Sequence, residues 1–122
     1  MPHNTILPEE TRNKYFKEIT FIRKCAQFGD IKISNHCYKQ ISQRNIRLQH
    51  VYNSIKTGVI MEIQNRERDT KIVFQDCSTK PPYFFVAVAV KPSMGMCVTA
   101  YLPDLNIWYL ESDNQWRRKK NV

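Results

Sequence analysis

The sequence predicts an α+β fold in which N-terminal helices pack on a four-stranded antiparallel sheet. Three observations predict it: apolar residues recur at helical spacing as far as Gly58, β-branched and aromatic runs follow, and the separators between those runs are short. A chain of 122 residues is the size of one domain, and 42% hydrophobic residues supply a core. Within a single domain, 1–122, the expected parts are an N-terminal helical extension over 1–30, an α+β core over 31–118 and a basic tail over 117–122.

Over residues 8–28, Tyr15, Ile19, Ile22 and Ala26 fall on one helical face, with Pro8 at a first-turn position, Glu9 and Glu10 just inside it and Gly29 at the stop. One amphipathic helix is expected there. The extended piece Ile31–Ile33 leads to Ser34 and Asn35, either of which can cap a second helix that carries His36, Cys37, Gln40 and Ile41 and ends near Asn45. Leu48, Val51, Tyr52 and Ile55 predict a third helix, with Ile46 in a staple position and Gly58 as its terminator.

Beyond Gly58 the runs 59–63, 71–74, 83–90 and 96–102 read as strands. Their separators suit antiparallel neighbours, so a four-stranded meander is expected. Residues 83–90 are apolar almost throughout, which predicts a central strand covered on both faces.

Nineteen Lys and Arg against eleven Asp and Glu leave a formal charge of +8. Such a balance attracts polyanions, and nucleic acid, RNA above all, is the expected partner. The run Arg117, Arg118, Lys119 and Lys120 reads either as a solvated tail or as part of a phosphate-holding surface. Cys25, Cys37, Cys77 and Cys97 are scattered, with no Cys-x-x-Cys pair, so no metal or other cofactor is expected. No basic-then-apolar leader opens the sequence, and no apolar stretch approaches the roughly 18 residues of a membrane helix. A cytoplasmic setting with free thiols and no membrane partner is the expectation.

There is no P-loop, no Gly-x-Gly-x-x-Gly, no Gly-x-Ser-x-Gly and no His-Glu-x-x-His. The remaining chemistry is that of His, Arg, Lys and Tyr, a set suited to metal-independent RNA cleavage, in which a 2′-hydroxyl attacks the adjacent phosphate. His36, beside a helix N-terminus, is the acid/base candidate; its plainer role is a capping or core histidine. Arg44 comes a little over two turns later and reads as a phosphate grip or as a helix-end residue bonded to carbonyls. Arg66, Arg68 and Lys71 cluster at the first hairpin, interleaved with Glu67 and Asp69, which pair with them if the turn is merely solvated. Tyr101, Trp108, Tyr109 and Trp116 bring aromatic surface near the basic tail and read as base platforms, with Tyr101 and Trp108 as core anchors in the alternative.

The stretches Ile33-Ser34-Asn35-His36, Gln43-Arg44-Asn45-Ile46, Val51 and Gly58-Val59-Ile60, then Val98-Thr99-Ala100-Tyr101-Leu102-Pro103-Asp104 and Trp108, resemble an uncharacterised bacterial family, the domain of unknown function DUF4258. The resemblance covers roughly residues 31–118. Members of that family look like distant relatives of RelE-type toxins and other metal-independent ribonucleases of the barnase, EndoU and colicin kind. The resemblance implies a toxin-like endoribonuclease of a toxin–antitoxin or polymorphic toxin system, acting on RNA, on the ribosome in one version, and bound by an acidic antitoxin or immunity protein. His36, Arg44 and Tyr101 are its matching polar positions, with Lys71 as a further catalytic candidate. Arg66, Arg68, Trp108, Arg117, Arg118 and Lys119 are the nucleic-acid-binding candidates. Many members carry a histidine at the start of the long hydrophobic strand, where this chain reads Pro82-Tyr83-Phe84-Phe85-Val86. The alternative expectations are a non-catalytic module that holds nucleic acid or a ribosomal surface and a protein-interaction domain derived from such a toxin.

Overall fold

The computed structural model of the chain describes residues 4–65 and 67–120. The candidate Arg66, and His3, lie outside the described residues. The fold is α+β, with helices α1 (Glu9–Lys14), α2 (Phe16–Gln27), α3 (Asn35–Gln43) and α4 (Leu48–Thr57). The strands are β1 (Ile31–Ile33), β2 (Ile60–Gln64), β3 (Lys71–Gln75), β4 (Phe85–Val90), β5 (Gly95–Tyr101), β6 (Trp108–Leu110) and β7 (Trp116–Arg118).

The expected four-stranded antiparallel sheet is corrected to a mixed, five-stranded one in the order β1-β5-β4-β3-β2. The meander β2 to β5 forms as expected, and β1 adds to it parallel to β5, pairing Ile31 with Gly95 and Ile33 with Cys97. A parallel neighbour needs a long crossover, and here α3, α4 and the strands β2 to β4 separate the two strands. A small second sheet, β6 with β7, was not expected either. Its turn places Asn114 at φ 65, a left-handed position that asparagine tolerates. The basic run is therefore not a loose tail throughout: Arg117 and Arg118 belong to β7 and pair with Tyr109 and Trp108.

The single N-terminal helix expected over 8–28 is broken at Tyr15, whose φ of −106 and ψ of 19 separate α1 from α2. The buried face of α2, Ile19, Ile22, Cys25 and Ala26, joins the main core. Ser34 caps α3, its Oγ accepting from the Cys37 N–H at 3.0 Å. Arg44 is the C-cap, and Asn45 turns the chain at φ 55. Ile46 and Val51, one residue before the α4 N-cap Arg47 and four after it, are both buried, as a hydrophobic staple requires.

β4 lies in the middle of the sheet and is covered on both faces. Val86 and Val88 meet the helices with Ile72, Phe74 and Ile60, whereas Phe85 and Ala87 meet Val73, Met61 and Trp108 on the other side. Each fully buried Ile, Val or Phe contributes on the order of 1.5–3 kcal/mol relative to exposure. The second face is closed by the β6–β7 hairpin. Gln75 Oε1 accepts from the Trp116 N–H at 3.1 Å and from Gln115 Nε2 at 3.0 Å, which ties the hairpin to β3.

Two bulges decide which side chains reach which face. Between Ile60 and Glu62 the register with β3 shifts, so that Ile60 opposes Phe74, Glu62 opposes Val73 and Ile63 opposes Ile72. In β5 the shift falls opposite the Ala87/Val88 step, so that Cys97 opposes Val88 while Thr99 opposes Ala87 and Tyr101 opposes Phe85. The extra residue re-aims the side chains beyond it: Cys97 packs toward the helices and Tyr101 toward the hairpin.

Candidate active site

On the hairpin side of the sheet lies a hollow of about 570 Å³ lined by residues of β2, β3, β5 and the hairpin. Its walls include Tyr101, Lys71, Trp108 and Arg118, together with Glu62, Gln64, Asn65, Glu67, Asp69 and Asp104. Tyr101 stands edge-on to Phe85, with ring centroids 5.7 Å apart and planes at 90°. Burial, and after it the charge of Glu62, pushes its phenol well above the ordinary tyrosine range, and Arg118 pulls partly back. The hydroxyl thus keeps its proton at neutral pH and can donate it.

Glu62 holds the centre of the polar wall. Its Oε1 accepts from Arg118 Nη1 at 3.2 Å and its Oε2 from Gln64 Nε2 at 2.8 Å. The Arg118 guanidinium also lies 5.6 Å from the centroid of Trp108. Lys71 Nζ donates to Glu67 Oε1 at 2.9 Å. Glu67 is 77% exposed on a hairpin turn, so that ion pair is weak and readily exchanged for another anion. Lys91 donates to Asp69 at 2.6 Å, and that bond, ahead of the surrounding positive charge, holds the Asp69 carboxyl below its usual range. Asp104 Oδ1 accepts from the Asn106 N–H at 2.9 Å and shapes the turn into β6.

Tyr101, Lys71, Trp108 and Arg118 line one hollow, with Lys71 level with the start of β5 and Tyr101 at its end, and His36 and Arg44 lie outside it. His36 is exposed on the first turn of α3. Arg44 sits at the other end of that helix, roughly 12 Å along its axis, and its backbone carbonyl accepts from the Tyr83 hydroxyl at 3.0 Å. The buried side of α3, Cys37 and Ile41, packs into the core on the helix side of the sheet, whereas Tyr101 packs on the hairpin side. His36 and Arg44 therefore do not join Tyr101, because the β5 bulge turns the tyrosine away from the helices.

Among the expected nucleic-acid contacts, Trp108 is a core anchor at 4% exposure, too enclosed to stack a base. Arg117 pairs with Asp113 at 3.4 Å and Glu111 at 3.8 Å. Arg68 and Lys119 are exposed. Glu62 is absent from the residues singled out by sequence, although a lone acid inside the run Val59-Ile60-Met61-Glu62-Ile63 is a visible signal. No group of three or more His, Cys, Asp and Glu side chains that could hold a metal ion occurs among the described residues. Nor is any helix among them long and apolar enough to cross a membrane.

A family described as "Domain of unknown function (DUF4258)" matches residues 33–101. The chain belongs to that family. The DUF4258 segment runs from the last residue of β1 to the last of β5, so it contains Glu62, Lys71 and Tyr101 as well as His36 and Arg44. Trp108 and Arg118, which complete the hollow, lie C-terminal to it. No curated protein and no solved structure matches the chain.

Proposed function

We propose that the protein is a toxin-like endoribonuclease that cleaves RNA by 2′-hydroxyl attack without a metal ion, and that the reaction takes place in the hollow on the hairpin side of the sheet. The observation that carries this reading is that a protonated phenol, two cations and a carboxylate, Tyr101, Lys71, Arg118 and Glu62, line one cavity. In the reaction Glu62 takes the proton of the 2′-hydroxyl and Tyr101 gives one to the departing 5′-oxygen, while Lys71 and Arg118 face the charge that gathers on the phosphate. The products are a 2′,3′-cyclic phosphate and a 5′-hydroxyl. A helices-on-sheet protein of this kind is then a distant variant of the RelE-type ribonucleases, working on RNA in the bacterial cytoplasm and restrained by an acidic antitoxin or immunity protein.

The test is incubation of purified protein with total RNA in excess EDTA. Fragments ending in cyclic phosphate are expected from the wild type and not from Tyr101→Phe. Intact RNA with the wild type, over a range of RNA substrates that includes ribosomes, would overturn the reading.

A second reading, a non-catalytic nucleic-acid-binding module, is favoured by a different observation. Both cations of the hollow already face carboxylates, whereas the exposed side of α3 presents His36 and Lys39, with Arg47 close beyond the helix end. That module binds RNA with a steep loss of affinity as salt rises and leaves it uncut.

A further inference from the structure

The sulfur atoms of Cys37 and Cys97 lie 3.4 Å apart, and both residues are fully buried. One comes from the first turn of α3 and the other from β5, 60 positions later. A single serine holds both backbones in place. The Ser34 N–H donates to the Cys97 carbonyl at 3.0 Å, the Ser34 Oγ accepts from the Cys37 N–H at 3.0 Å, and the same hydroxyl donates to the Val98 carbonyl at 3.2 Å. The contact is therefore fixed from both sides of the helix–strand seam. The remaining thiols differ: Cys25 is buried, and Cys77 is exposed beside the Thr57 hydroxyl at 3.6 Å.

We propose that Cys37 and Cys97 are a redox-sensitive pair that a peroxide closes into an intramolecular disulfide, a covalent link between α3 and β5. The Cys37 sulfur, as thiolate, attacks one oxygen of hydrogen peroxide; the O–O bond breaks and the other oxygen leaves as water after taking up a proton. The Cys97 thiol then attacks the resulting sulfenic sulfur, gives up its proton, and the sulfenic oxygen departs as a second water. Two thiols are oxidised and one peroxide is reduced. Cys37 is the first to react: it lies in the first turn of α3, where the helix N-terminus favours a thiolate, and its contact with Cys97 pushes its pKa down. Closure brings the sulfurs to about 2.05 Å. Burial sets the pace: oxidant reaches the pair when the first turn of α3 opens transiently, so the link forms more slowly than oxidation of the exposed Cys77.

The experiment uses the full chain carrying Cys77→Ser, treated folded with hydrogen peroxide, quenched, then denatured and alkylated. A Cys37–Cys97 cross-linked peptide, an intact mass two hydrogens lighter, alkylation of Cys25 and a higher melting temperature that dithiothreitol reverses are the expected results. Cys97→Ala, a small apolar replacement, should lose both the link and the melting shift and leave Cys37 as a sulfenic acid that dimedone traps. Recovery of Cys37 and Cys97 fully alkylated after an exposure prolonged far beyond the one that completely oxidises Cys77 in the parent chain overturns the proposal. So does a melting shift that persists in Cys97→Ala.

Discussion

The side-chain oxygen of Gln40 accepts from the Ala100 backbone N–H at 2.8 Å, and the neighbouring Thr99 hydroxyl donates to the same oxygen at 2.8 Å. The strand β1 pairs with β5 only from Gly95 to Cys97, which leaves the outer edge of β5 beyond that point without a strand partner. A helix side chain stands in for the missing strand. Replacing it with Gln40→Leu should cost ~1–3 kcal/mol, because the Ala100 N–H is left without its acceptor. Urea denaturation measures this, and an unchanged midpoint would show that the edge is satisfied in another way.

Gly58 occupies a position where a side chain has no room: a Cβ there would lie 2.4 Å from the Gln75 carbonyl and 2.5 Å from that of Ser54. Both obstacles are backbone. Gly58→Ala should destabilise the fold by about 1–3 kcal/mol or more, at the severe end for an added methyl, with the loss visible in thermal melting. Its φ of −68 is an ordinary one, so the cause is crowding and not conformation.

Tyr101 yields a pH prediction with a definite sign. Burial and Glu62 raise its folded pKa above the unfolded value of ~10. Above that value the unfolded chain releases a proton that the folded chain keeps, so the stability this phenol contributes is whole below pH ~10 and is lost as pH rises through the folded pKa. The stability difference between wild type and Tyr101→Phe should shrink in that direction, and Glu62→Gln should let the phenol ionise earlier. A difference that stays flat with pH contradicts the assignment.

If RNA is cut in the hollow, Tyr101→Phe should lower the rate by about 10²–10⁴-fold with RNA affinity retained, the range for removing a general acid. His36→Ala should leave the rate unchanged, since that side chain lies on the exposed face of α3. Single-turnover cleavage assays separate the two outcomes. A dead His36→Ala variant that still folds would move the reaction to the other side of the sheet.

Local patterns made much of this fold legible. The i, i+3, i+4, i+7 spacing of Leu48, Val51, Tyr52 and Ile55 marks α4, and the apolar run around Val86 marks the central strand. The features that stayed hidden are non-local. The pairing of three residues, Ile31–Ile33, with a strand more than sixty positions away leaves no mark in either segment. The candidate site was half legible for the same reason. Tyr101 and Lys71 could be named as reactive groups, but strict alternation along β5 puts Cys97 and Tyr101 on one face, and along β2 it puts Ile60 and Glu62 on one face. One inserted residue in each strand separates them. His36 and Arg44 share a helix and a charge pattern with no bearing on which side of the sheet the tyrosine takes.

The hollow is assembled from two stretches of chain with different freedom to change. Glu62, Lys71 and Tyr101 come from the DUF4258 segment, anchored in the five-stranded sheet, whereas Trp108 and Arg118 come from a short hairpin fastened to β3 largely through Gln75, Gln115 and Trp116. Exchanging that hairpin would reshape the entrance and replace the Arg118 cation while leaving Glu62, Lys71 and Tyr101 where they stand. Selectivity in such a protein can drift while its acid and its base stay fixed.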